Sequence, residues 1–249
     1  MKSKKAKAGG GVLLDDGLAA LAAGHHRNPF ALLGPHPAAG GRGFVIRAIQ
    51  PAATGIDLVV VESGRAGEPR PMVRHPGTGL FEIAVDSEQI PDYRLRVTFG
   101  DHVLAIDDPY RYDRVLTDFD LYLLGEGTHH RAFEKLGAHR VRVGAATGVH
   151  FAVWAPNADR VSVVGDFNGW DGRVHPMRLL VPAGIWEIFL PDLADGENYK
   201  FEIRTPSGDL LLKSDPFGFS FEQPPSTASV VRDISGYAWR DDEWMASRA

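Results

Sequence analysis

Apolar residues recur along this chain with two different periods. Leu14, Leu18 and Leu21 stand at i, i+4 and i+7, with Asp15 and Asp16 at the front and Gly24 at the end, which predicts one short amphipathic helix. From Gly43 onward the period changes to two. Phe44, Ile46 and Ala48 alternate with other positions, Ile56 to Val61 follows, then Phe81, Ile83 and Val85, then Tyr93, Leu95 and Val97, with Gly and Pro between the runs. Each run places its apolar set on one face of a strand, so this part reads as all-β.

The second half repeats the first. Gly43, Ile46, Pro51, Ile56, Leu58, Gly79, Phe81, Glu82 and Ile83 are matched 105 positions later by Gly148, Phe151, Pro156, Val161, Val163, Gly184, Trp186, Glu187 and Ile188. The offset then drifts: Tyr93, Leu95 and Val97 meet Tyr199, Phe201 and Ile203, and Asp108, Pro109 and Tyr110 meet Asp215, Pro216 and Phe217. Drift at loops is what a duplicated domain shows, and two copies with so long a period make a tandem rather than a solenoid.

The fold class that follows is all-β: two tandem antiparallel β-sandwich, immunoglobulin-like domains with a short N-terminal helix. Residues 1–11, with four lysines and three consecutive glycines, are expected to be a disordered basic tail. Residues 12–124 form the first sandwich with its leading helix, 125–140 a connector with helical character around Ala132 to Leu136, and 141–235 the second sandwich. Residues 236–249 carry Trp239 and Trp244, which need a partner surface, so they read as the start of a linker to a further domain.

Composition narrows the function. At 249 residues there is enough chain for two modest cores. The net charge is −5 although four lysines lie in the first seven residues, and an acidic body argues against a nucleic-acid partner. The absence of cysteine removes disulfides, thiolate metal sites and thiol nucleophiles, and fits a cytoplasmic protein. No apolar run approaches a membrane-spanning length.

Candidate chemistry is sparse. His25 with His26 and His129 with His130 are loop neighbours whose side chains point apart, not metal ligands at helical spacing. Asp107 with Asp108 and Asp241 with Asp242 are also sequence neighbours, which do not face each other across a sugar as an acid and a nucleophile must. No nucleophile elbow, phosphate loop or dinucleotide fingerprint occurs, so no catalytic residue, metal or cofactor is assigned.

What remains is recognition. Val163 to Gly172 runs from a β-branched strand into a loop with three glycines, and Trp170 stands on that loop. It is either a lid folded on the core or an exposed plate for a ligand. Lys200, outward between inward-facing Tyr199 and Phe201, and Asn168, beside the tryptophan, would ring that plate with polar groups. An apolar plate with a polar rim suits a sugar.

The residues also carry a resemblance. Gly148, Phe151 to Ala158, Asp166 to Trp170 and Asp215 with Pro216 resemble carbohydrate-binding module family 48. More narrowly, Trp170 to Arg178, Gly184 to Glu187 and Leu212 to Pro216 are similar to bacterial glycogen branching enzymes. In the first half Asn28 to Phe30, Leu33, Gly34, His36, Ile106 to Arg111, Gly125 to His129 and Leu136 to His139 are similar to that family's extra amino-terminal domain and connector. The resemblance implies a parent enzyme that cuts an α-1,4-glucan and rejoins it through an α-1,6 bond during glycogen biosynthesis. It places the catalytic residues on a barrel that follows these two modules, so this chain alone is expected to be inactive, with glucan and that barrel as its partners. Where glycan-binding relatives on kinase regulatory subunits carry a second tryptophan, this chain has Leu212. The alternative is a stand-alone glycogen-binding adaptor with no catalytic partner in the same chain.

Overall fold

The computed structural model describes residues 15–236 and 240–248, so the basic tail, Leu14 and Trp239 lie outside the described residues. The chain divides into two compact units, Met1–Arg111 and Tyr112–Ala249. Among the described residues no helix is long and apolar enough to cross a membrane.

The first unit opens with α1 (Asp16–Ala22). Asp15 caps it, its carboxylate accepting from the Leu18 N–H at 2.8 Å, and Leu18 and Leu21 are buried. Strands β1 (Gly34–Pro37), β2 (Phe44–Ile49), β3 (Gly55–Glu62), β4 (Arg65–Ala66), β5 (Arg70–Pro71), β6 (Val73–Arg74), β7 (Leu80–Val85), β8 (Tyr93–Phe99) and β9 (His102–Ile106) follow. They form one sheet in the order β1-β2-β7-β6 and another in the order β4-β3-β8-β9, with β5 also on β3. Ile46, Ala48, Phe81 and Val85 of the first sheet meet Ile56, Leu58, Tyr93, Leu95 and Val97 of the second in one buried cluster. That shared core makes the unit a two-layer sandwich.

The second unit repeats this order. It contains α2 (Asp118–Gly125), β10 (Gly137–Val143), β11 (Ala146–Trp154), β12 (Arg160–Gly165), β13 (Arg178–Leu180), β14 (Ile185–Pro191), β15 (Asn198–Arg204), β16 (Leu210–Lys213), β17 (Ser220–Phe221), β18 (Ser229–Val230) and the short α3 (Asp242–Ala246). The sheets run β10-β11-β14-β13 and β12-β15-β18-β17, with β16 on β15. Registers repeat as well: Ile46 lies opposite Ile83 as Phe151 lies opposite Ile188, and Leu58 opposite Leu95 as Val163 opposite Phe201.

The duplication begins earlier than the 105-residue offset indicates. Leu18, Leu21, Gly24, Phe30, Leu33, Gly34 and His36 are matched 103 positions later by Leu121, Leu124, Gly127, Phe133, Leu136, Gly137 and His139. The counterpart of the leading helix is α2, in the stretch read from sequence as the end of the first sandwich at 12–124, and the stretch read as a connector at 125–140 holds the counterpart of the start of the first strand; both fall in the second unit. Both helices end alike, with Gly24 and Gly127 left-handed and the next N–H returning to the helix, His25 to Ala20 O at 2.8 Å and Thr128 to Leu123 O at 3.0 Å. His36 Nε2 lies 2.9 Å from Leu33 O, and His139 Nε2 2.9 Å from Leu136 O. Between these segments and the 105-offset strands the second copy has gained two residues, in the hairpin joining β10 to β11.

Each unit also carries the same buried latch. The Tyr93 hydroxyl donates to Asp108 at 2.7 Å while the Tyr110 N–H donates to the other carboxylate oxygen at 3.0 Å. In the second unit Tyr199 donates to Asp215 at 2.6 Å and the Phe217 N–H at 2.8 Å. Burial pushes the Asp108 carboxyl up to about 6, outweighing the two hydrogen bonds that pull it down. Because the native state holds this proton more tightly, the group's stabilising contribution is full below the unfolded carboxyl value. It is lost as the pH rises through about 6, a change of about 3 kcal/mol. Urea unfolding of the first unit between about pH 4 and 7 should show that fall in the wild type and lose it in Asp108→Asn; an unchanged slope in the variant would assign the fall to another group.

Candidate functional site

The tryptophan loop grows from the end of β12. Gly165 closes that strand at a place where no side chain fits, since a Cβ there would stand 2.2 Å from Asn198 O and 2.4 Å from the Phe167 ring. A 3₁₀ turn at Asp166–Asn168 follows, and then Gly169 and Trp170 both adopt left-handed backbone, with φ of 62° and 60°. A left-handed tryptophan is strained by roughly 1 kcal/mol or more, so its surroundings must hold it. They do: the Trp170 N–H donates to Gly165 O at 3.0 Å, and the indole Nε1–H donates to the Asp166 carboxylate at 2.9 Å. The side chain stays at the surface, 36% exposed.

Asn168 is placed differently from the sequence expectation. Its Oδ1 accepts from the Gly165 N–H at 3.0 Å, and its Nδ2 donates to Val163 O at 2.9 Å and to His175 Nδ1 at 3.0 Å. Both amide hydrogens are used inside the protein. Asn168 therefore braces the loop that presents Trp170. Lys200 lies on β15 directly opposite Val164, one residue before the loop begins, and its ammonium donates to Thr227 Oγ1 at 2.7 Å. Tyr199 and Phe201 on either side of it are buried, as the alternation requires.

Sequence reasoning missed two residues here. Asp166 stands four positions before Trp170 and pins its indole, and His175 ends the chain of hydrogen bonds that passes through Asn168. Beyond the tryptophan the loop turns back over β15: at Gly172 a Cβ would fall 2.0 Å from Glu202 Oε1, and Glu202 is paired with buried Arg160. The hydrogen bond from Arg173, beside a chelating geometry of 2.9 and 2.7 Å, holds the Asp171 carboxyl below the usual range.

Two of the groups weighed as candidates, Asp107 and His129, are held in ion pairs within the fold. Asp107 is buried between Arg94 at 2.9 Å and Arg111 at 3.5 Å. His129 lies 3.3 Å from Asp120, which also takes Lys135 and closes the capping box of α2 with Thr117.

Comparison with known proteins divides the chain in the same two parts. Residues 15–110 match the family described as alpha-1,4-glucan branching enzyme GlgB, N-terminal domain, and residues 135–218 match carbohydrate-binding module 48, the isoamylase N-terminal domain. A 1,4-alpha-glucan branching enzyme GlgB of Rhodospirillum rubrum is 49% identical over 242 residues, which cover 94% of this chain and 32% of that protein. The protein of the same name in Paramagnetospirillum magneticum is 52% identical over 231 residues, covering 92% and 30%. The chain spans about a third of the length of the curated relatives it matches.

Proposed function

We propose, for a chain whose residues 15–110 match the GlgB amino-terminal family and residues 135–218 match carbohydrate-binding module 48, that it is the glucan-binding and positioning segment of a glycogen branching enzyme. In this reading the parent protein forms α-1,6 branches from α-1,4-glucan on a catalytic barrel, and the second unit holds glucan near it. The observation that carries the reading is the presentation of Trp170: a strained left-handed backbone and the Asp166 hydrogen bond keep a large apolar face at the surface. Lys200 stands at the same end of the β12–β15 pair. Trp170 and Lys200 are the proposed sugar contacts, and Asn168 acts through the loop.

One indole face covering about 50–80 Å² stabilises by roughly 1–2 kcal/mol. With hydrogen bonds worth about 1 kcal/mol each, the dissociation constant for linear α-glucan falls between about 10 μM and several mM. Trp170→Ala should abolish most of the retardation in glycogen-containing native gels with the thermal midpoint nearly unchanged. Unfolding of the variant with residual glucan binding intact would instead make Trp170 a lid on the core.

A further inference from the structure

The hydrogen-bond chain of the Trp170 loop ends on His175, whose Nδ1 lies 3.0 Å from Asn168 Nδ2. Asn168 cannot be turned over: its oxygen faces the Gly165 N–H and its nitrogen faces Val163 O, so a flip would set donor against donor and acceptor against acceptor. With the amide orientation fixed, the second Nδ2 hydrogen points at His175 Nδ1, which must be the unprotonated acceptor. His175 is itself fixed by backbone on both sides. Its carbonyl accepts from the Val163 N–H at 3.2 Å, Pro176 bridges Ser162, and the Met177 N–H donates to Val161 O at 2.9 Å, so residues 175–177 run as an added edge along β12.

From this geometry we infer that His175 is the positioning residue of the Trp170 loop, its neutral Nδ1 anchoring Asn168 and through it the left-handed turn that presents the indole. The inference deepens the glucan-binding reading and rests on it for its effect on affinity. The hydrogen-bonded path is continuous: His175 Nδ1 to Asn168, Asn168 Oδ1 to the Gly165 N–H, and Gly165 O to the Trp170 N–H. The Asn168 amide and the Phe167 ring, 5.9 Å away, face the imidazole, and burial pushes its pKa down to about 4. The charged groups of the loop are engaged elsewhere, Asp166 with the indole and Asp171 with Arg173. Protonation of His175 would set an N–H against the Asn168 amide hydrogens and release the turn.

The test uses the full chain, with maltoheptaose as the probe. Nitrogen NMR at neutral pH should find His175 as the Nε2–H tautomer, with Nδ1 unprotonated. Affinity should hold steady from about pH 8 to 5.5 and fall as pH approaches 4. His175→Asn, whose amide oxygen takes the place of Nδ1, should keep neutral-pH affinity within about twofold and flatten the fall. His175→Leu should weaken binding by about fivefold or more and speed exchange of the Trp170 indole N–H. A wild-type indole exchange rate in His175→Leu, or a protonated Nδ1 at neutral pH, would overturn the positioning role. Unchanged affinity in Trp170→Ala would sink the glucan reading and leave the indole-exchange result to decide the role of His175 by itself.

Discussion

Trp186→Ala is expected to destabilise the second unit by about 3–5 kcal/mol, lowering its thermal midpoint by about 10–20 °C. Trp186 is fully buried, lies on β14 between Val153 of β11 and Leu179 of β13, and donates its indole N–H to Ala155 O at 3.0 Å. Truncation removes a large buried volume and strands a carbonyl, and both effects act in the same direction. The fraction that remains folded should bind glucan as the wild type does, because the Trp170 loop belongs to the opposite sheet. Trp170→Ala should show the reverse pairing of effects. Calorimetry and native-gel retardation on both variants decide the matter, and a loss of glucan binding in folded Trp186→Ala would mean that the loop depends on the core beneath it.

Strands such as β3 and β8 were legible because buried and less buried positions alternate along them, whereas β11, β12 and β14 are buried along almost their whole length and were legible through their spacing from the first copy. Ile46, Leu58, Phe81 and Leu95 alternate, and their counterparts at a nearly fixed spacing make each copy a check on the other. Helix α2 was not legible from period. Phe119, Leu121, Tyr122, Leu123 and Leu124 place apolar residues all around it, so it lacks the one-sided stripe of an amphipathic helix. Two signals could have found it: the Thr117-x-x-Asp120 capping box, and the 103-residue match of Leu121, Leu124 and Gly127 to Leu18, Leu21 and Gly24. At the candidate site, Trp170 on a glycine-rich loop and outward Lys200 could be read directly. The commitments of Asn168 could not, because the partner that takes its second hydrogen, His175, is seven residues away on a segment whose pairing with β12 only the fold creates.

Glu187→Ala is expected to destabilise the second unit by about 3–5 kcal/mol, while Glu82→Ala, 105 positions earlier, should change the first by less than about 1 kcal/mol. The two glutamates hold equivalent register positions, opposite Ala152 and Arg47. Their surroundings differ. Glu82 is a third exposed and pairs with Arg47 at 3.1 Å and His75 at 3.3 Å. Glu187 is fully buried and takes His150 at 3.0 Å, Arg178 at 3.1 Å, and the backbone N–H groups of Val115 and Leu116 at 3.3 and 3.1 Å. Burial pushes its carboxyl up, but the His150 hydrogen bond, Arg178 and the Leu116 N–H outweigh it and hold the group below the usual range. Removing it leaves the half-buried Arg178 guanidinium, the part-buried Val115 N–H and the buried Leu116 N–H without this acceptor, and desolvation of those groups sets the size of the loss. The same N–H groups belong to the segment that carries Leu116 into the cluster under α2, so amide exchange at Val115, Leu116 and along α2 should rise with the loss of stability. Glu187→Gln keeps an acceptor for the backbone and should lose about half as much. Equal losses at Glu82 and Glu187, or wild-type exchange along α2 in Glu187→Ala, would mean that water replaces the carboxylate and that the second copy does not depend on this buried acid to hold its leading helix.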